Sequence, residues 1–208
     1  MASLVSETVL GILASGRGSN MQVILNNIQA GQIPAKIGVV ISDHADAKVL
    51  EIAANAGIVA VCIERKNFTS KQDFEAAIAA ELVKYEVQLV ALAGFMRILS
   101  GYFIGLFSGR IMNIHPSLLP AFPGLHAHEQ VIAYGAKVSG CTIHFVDEGV
   151  DTGPIIMQSA VAVFPDDTAD SLAERIITLE HTLYSKAIGL YCEKRLYIEG
   201  RNVKIIEG

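Results

Sequence analysis

Short stretches dense in Val, Ile, Leu and Ala alternate along this chain with windows in which apolar residues recur every three or four positions. The stretches at residues 8–13, 37–42, 59–63, 89–93 and 110–114 are nearly continuous in apolar side chains. Strands buried on both faces of a sheet read that way. Helical windows lie between them. Ser70 and Asp73 stand at capping-box spacing, and Phe74, Ala77, Ile78, Leu82 and Tyr85 then fall on one stripe. Residues 46–56 repeat the pattern with Val49, Leu50, Ala53 and Ala56. Such alternation predicts a parallel, doubly wound sheet.

The order changes after residue 135. Residues 139–146 and 154–163 read as consecutive strands that form an antiparallel pair. A long helix follows over 168–190, with Leu172, Ile176, Leu179, Leu183 and Ala187 on one face. The tail 196–207 places Glu199, Gly200, Arg201 and Asn202 between two apolar stretches, as in a terminal hairpin. The expected fold is α/β: a Rossmann-like, doubly wound, mostly parallel sheet with an antiparallel C-terminal part. No repeat, low-complexity tract or linker divides the 208 residues, so one domain is expected. Residues 1–7 read as a short extension before the first strand.

A hydrophobic fraction of 51% against 18% charged residues fits a globular chain with a sizeable core. The net charge is −5, and Lys and Arg are scattered. That argues against a nucleic-acid or anionic-membrane surface. A phosphorylated metabolite is still compatible, because a few backbone amides hold a phosphate locally. Cys62, Cys141 and Cys192 are odd in number and lack CxxC spacing, so neither a disulfide framework nor a zinc site is expected. With no leader pattern or long apolar span, the reduced cytoplasm is the expected location.

Ser15, Gly16, Arg17, Gly18, Ser19 and Asn20 follow the first strand and open the first helix. Glycines there let the backbone approach a ligand, and the helix start offers N–H groups and a positive partial charge to a phosphate. The dinucleotide pattern GxGxxG would need glycine at position 21, which is Met21, and the P-loop ending is absent. A single phosphate monoester fits better than NAD or ATP. A tight turn with Ser19 or Asn20 capping the helix explains the same residues.

Asn113 and His115 stand two apart at the end of the fifth apolar stretch. On a strand they project to the same face. One is a neutral donor, and the other titrates near neutral pH. Pro116, Pro120 and Pro123 then force a stiff loop at a carboxyl strand end, where ligands bind in open α/β sheets. Taken alone, His115 also fits a satisfied buried histidine. His126 and His128 lack a further ligand at metal spacing, so no metal is expected. Cys141 sits inside an expected strand, as buried thiols commonly do. Residues 147–154 carry Asp147, Glu148, Gly149, Val150 and Asp151 between two strands. Any turn suits them. Asp151 could also hold His115 charged and take a proton from an attacking amine.

Together these residues resemble the phosphoribosylglycinamide formyltransferases, a folate-dependent formyltransferase family, from about Val9 to Leu190. The markers are Ser15-Gly16-x-Gly18-Ser19-Asn20, Ala93-Gly94-Phe95-Met96-Arg97-Ile98-Leu99, Asn113 through Pro120, Asp151-x-Gly153-Pro154, and Glu180-His181. The resemblance implies a single formyltransferase domain over 1–208, with a phosphate-binding half at about 8–107 and a folate-binding and catalytic half at about 108–208. It implies transfer of a formyl group from 10-formyltetrahydrofolate to the amine of glycinamide ribonucleotide in purine synthesis. No metal is implied, and a homodimer is left open.

By position, Gly18, Ser19 and Asn20 would hold the acceptor phosphate, and Ile177, Thr178, Leu179 and Glu180 would complete that side. Lys71, Met96, Arg97, Ile98, Leu99, Asn113 and the turn from Asp147 to Asp151 would hold the folate. Asn113, His115 and Asp151 would be the catalytic trio. Lys71 stands where relatives often carry Arg, which loses the planar fork. Ala121 stands where many carry a basic residue. The alternatives are a formyltetrahydrofolate hydrolase, another formyltransferase such as the methionyl-tRNA enzyme, and a non-catalytic nucleotide-binding module. The two formyl rivals usually carry an extra domain, for which the present length leaves no room.

Overall fold

A computed structural model of the protein describes residues 7–207, so residues 1–6 of the expected extension lie outside the described residues. The strands are β1 (Thr8–Leu13), β2 (Ala35–Ser42), β3 (Ala60–Cys62), β4 (Leu89–Leu92), β5 (Ile111–His115), β6 (Val138–Phe145), β7 (Ile155–Ala162), β8 (Leu196–Glu199) and β9 (Asn202–Ile205). They form one sheet in the order β3-β2-β1-β4-β5-β6-β7-β9-β8. The pairs from β3 to β5 are parallel. From β5 to β7 they are antiparallel, as expected for residues 139–163. The terminal hairpin joins the sheet through β9, parallel to β7.

The helices are α1 (Ser19–Gln29), α2 (Lys48–Asn55), α3 (Lys71–Lys84), α4 (Gly101–Leu106), α5 (Ala127–Tyr134) and α6 (Ala169–Cys192). The period-2 alternation of β1 shows which helices lie on which face. Leu10 and Ile12 pack with Met21 of α1, Val49 of α2 and Tyr184 of α6. Val9 and Leu13 pack with Phe74 and Ile78 of α3 and Phe103 of α4. Ser70 caps α3 by accepting from the Asp73 N–H at 3.0 Å. The six-residue α4 carries too few turns for a hydrophobic period to announce it.

One strand departs from expectation. The stretch at 59–63 is not buried on both faces: β3 has three residues, pairs only with β2, and exposes Ala60 and Cys62. An apolar run reports β preference, and the edge position decides burial. No helix among the described residues is long and apolar enough to cross a membrane.

The order β2-β1-β4 places a topological switch point between β1 and β4, whose following loops diverge. Those loops are the glycine loop and residues 93–99. They are stitched together where Ser15 N–H donates to the Gly94 carbonyl at 3.0 Å and Met96 N–H donates to Ser15 Oγ at 2.9 Å.

Candidate active site

At the start of α1 the backbone does the shaping. Gly18 has φ 77°, and a Cβ there would lie 2.9 Å from the Val49 Cα. Gly18 is itself the N-cap, and no side chain caps the helix. Ser19 and Asn20 are therefore helical residues, which overturns the alternative that one of them caps α1. The first N–H groups stay available to an anion.

Asn20 turns its amide to α6 and donates to Glu180 Oε2 at 3.1 Å, while its own Oδ1 is buried without a partner. Burial raises the Glu180 carboxyl above its ordinary range, and the Asn20 amide and the Arg17 charge oppose that rise. One turn further on, the single hydrogen of the buried Tyr184 hydroxyl is shared between the carbonyls of Met112 (2.8 Å) and Leu92 (3.0 Å). This fixes α6 over the end of β4 and the first part of β5. Among the other expected acceptor residues, Leu179 packs with Cys141, Leu172 and Ile176 rather than facing the loop. Ile177 is half-buried and Thr178 exposed.

At the end of β5, Asn113 and His115 share the face covered by α3 and α4. Their cross-strand partners on β6 are His144 and Thr142. The turn after β6 brings Asp151 back, with φ 55°, to meet both. His115 Nδ1 lies 3.2 Å from Asp151 Oδ2, which also accepts from Gly124 N–H at 2.7 Å. His115 Nε2 lies 2.8 Å from the Phe122 carbonyl oxygen. Both ring nitrogens face acceptors, so a ring donating at both satisfies both contacts. The stiff loop supplies the second acceptor because it is tied down. Thr142 Oγ1 donates to the Ser117 carbonyl at 2.7 Å, and Gln158 Nε2 donates to the Leu119 carbonyl at 2.9 Å.

The structure adds His144, which the sequence reading missed. It is 2% exposed, and burial lowers its pKa. Its Nδ1 lies 2.8 Å from the Phe145 carbonyl, an acceptor, so that nitrogen carries the hydrogen of the neutral ring. Nε2 then accepts from Asn113 Nδ2 at 3.2 Å and orients the amide. Asn113 Nδ2 reaches Asp151 Oδ1 only at 3.5 Å. The signal for His144 lay in register: it stands opposite Asn113, which sequence alone does not reveal.

Beside this cluster, Met96 and Ile98 are exposed, while Leu99 belongs to the core under α3 and α4. Arg97 Nε donates to the buried Asp43 at 2.6 Å. Lys71 is half-exposed at the first turn of α3, with its Nζ 3.9 Å from Glu75. Asp147 closes its own turn by accepting from Thr152 Oγ1 at 2.5 Å and from Gly149 N–H at 3.2 Å. Glu148, Gly149 and Val150 are exposed. Cys141 is buried in β6, where desolvation pushes its thiol up to about 12. Among the described residues no three His, Cys, Asp or Glu side chains gather in a metal-holding group. Two cavities of about 370 and 410 Å³ lie elsewhere, and neither is lined by Asn113, His115 or Asp151.

The formyl transferase family model matches residues 10–188. The chain is 45% identical over 183 residues to the trifunctional purine biosynthetic protein adenosine-3 of Drosophila melanogaster, matching 87% of this chain but only 14% of that protein. It is 42% identical over 177 residues to the phosphoribosylglycinamide formyltransferase of Bacillus subtilis, covering 85% of this chain and 91% of that one. The crystal structure of glycinamide ribonucleotide transformylase 1 from Symbiobacterium toebii superposes with a TM-score of 0.95 at 50% identity, covering 97% and 95% of the two chains. The switch-point loops, the polar cluster at the end of β5 and these likenesses agree: the chain belongs to the formyl transferase family.

Proposed function

We propose that the protein transfers the formyl group of 10-formyltetrahydrofolate to the amine of 5-phosphoribosylglycinamide, a step of purine synthesis in the cytoplasm. The observation that carries this is the meeting of Asn113, His115 and Asp151 at a carboxyl strand end, on the same sheet edge as a helix start that no side chain caps. A non-catalytic nucleotide-binding module would use the second feature and has no need of the first.

The acceptor phosphate sits on the N–H groups of Gly18, Ser19 and Asn20, and Glu180 accepts from the ribose hydroxyls. The unpartnered Asn20 Oδ1 fits a ligand that brings a donor. Met96, Ile98 and the turn at 147–151 hold the pterin, which would cover the two exposed apolar chains. The two functional halves then interleave, since Glu180 serves the acceptor side and residues 96–99 the donor side.

The amine nitrogen attacks the formyl carbon, and the carbonyl electron pair moves to oxygen. Asn113 meets that oxyanion with the amide hydrogen that now makes only the 3.5 Å contact to Asp151. His115 contributes positive charge. Its Nδ1–H is shared with Asp151, so it turns to the oxyanion only by exchanging that partner. Asp151 Oδ1, the more weakly held oxygen, takes the amine proton and passes it, through water, to the leaving folate nitrogen as the carbonyl reforms.

The test is to supply 10-formyltetrahydrofolate with and without the ribonucleotide and to follow loss of the donor. Turnover only with the ribonucleotide is expected. Turnover without it identifies a hydrolase, and none at all favours the binding module.

A further inference from the structure

Glu75 lies on α3 at 1% exposure although it is a carboxylate. Burying such a group is costly unless hydrogen bonds replace its water, and an apolar residue would serve packing as well. Its neighbours on α3, Phe74 and Ile78, do pack that way.

The Glu75 bonds converge on one residue. Oε1 accepts from the Ser100 N–H at 2.8 Å, and Oε2 accepts from the Ser100 hydroxyl. Ser100 directly follows residues 96–99 and caps α4, its Oγ accepting from the Phe103 N–H at 3.4 Å. On the other side of the same junction, Gly101 lies against the acidic turn: a Cβ there would meet Glu148 Oε1 at 3.2 Å. The segment at 96–99 therefore runs directly into Ser100, the Glu148 side chain of the acidic turn lies against Gly101, and Glu75 holds that junction from α3. The Lys71 ammonium lies 3.9 Å from Oε1 of the same carboxylate.

We infer that Glu75 is a positioning residue for the formyl donor: its buried carboxylate fixes Ser100, and through Ser100 the two walls of the donor pocket. It touches neither substrate. The inference rests on the functional reading above.

Steady-state kinetics with each substrate varied separate this role from general stability. Glu75→Ala raises the donor KM by about tenfold or more, while kcat and the acceptor KM change by about twofold at most. Ser100→Ala moves the same constant in the same direction. The donor KM of the double variant stays close to that of Glu75→Ala, because Ser100→Ala removes one of the two bonds that Glu75→Ala removes, and the lost α4 cap shows in stability instead. Glu75→Gln recovers part of the donor affinity, since its amide oxygen still accepts from the Ser100 N–H. Calorimetric binding of tetrahydrofolate weakens in parallel and reads the donor pocket without turnover. An unchanged donor KM, or equal losses for donor and acceptor, overturns the inference. If Glu75→Ala does not fold, Glu75→Gln, which keeps the α4 cap, decides in its place by an intermediate rise in the donor KM. A wild-type protein without turnover would defeat the functional reading instead, and the calorimetry would still decide for or against Glu75.

Discussion

At the start of α1 polar groups are left open. No side chain caps the helix, and Asn20 Oδ1 is buried without a partner. At the end of β5 polar groups are closed on one another: both His115 nitrogens face acceptors, Asp151 accepts from Gly124 N–H, and Asn113 leans on His144. An open set of donors binds, because a ligand completes it. A closed set reacts by exchanging partners, and its members hold one another in place until then. The first is made of main chain and depends on glycine. The second is made of side chains and depends on pairing.

Breaking the closed set has the largest expected effect. Asn113→Ala and His115→Ala each lower turnover by about 10²–10³, or roughly 2.7–4 kcal/mol, while the protein remains folded. Asp151→Asn falls with them. Near-normal turnover in Asn113→Ala or His115→Ala would sink the trio. Breaking the open set works differently. Gly18→Ala forces a Cβ into a left-handed residue 2.9 Å from the Val49 Cα. It costs about 1–2 kcal/mol of stability and raises the acceptor KM more than it lowers kcat. A kcat loss with an unchanged acceptor KM would erase the contrast between the two regions.

Smaller changes sharpen the comparison. His144→Phe removes the acceptor that orients Asn113. Leaving a buried donor unpaired costs about 1–3 kcal/mol of stability, and the misaimed amide lowers turnover while both KM values hold. If kcat is untouched, the cross-strand histidine has no part in the site.

The smallest effect is on pH dependence. Burial raises the Glu180 carboxyl, so between its ordinary value near 4.5 and its raised value the folded state binds more protons than the unfolded state. Stability then falls as pH rises through that window. Glu180→Gln flattens that part of the stability curve, measured by denaturant unfolding from acid to neutral pH. A wild-type curve already flat there would show that Asn20 and Arg17 cancel the burial.

The parallel half was readable because its strands are two-sided and its helices amphipathic over several turns. The glycine loop was readable because Gly18 answers a backbone demand, and Gly18, not Ser19 or Asn20, is the residue that caps the helix. Asn113 and His115 were readable as a pair from their spacing alone. Asp151 was not, except through resemblance: 38 residues separate it from Asn113. Leu99 looked like a pocket residue and is core, while Arg97 spends its charge on Asp43.

By itself the sequence determined the alternation of strands and helices, the face shared by Asn113 and His115, and the stiff loop after them. Those are local properties, set by side-chain period and by the backbone limits of glycine and proline. The tertiary structure alone decided that β3 is an exposed edge, that His144 stands opposite Asn113, that the Phe122 carbonyl meets His115, and that Glu75 holds Ser100. Each is a contact between residues distant in the chain. Strand register and helix packing across the whole sheet choose such partners, and no local pattern carries that choice.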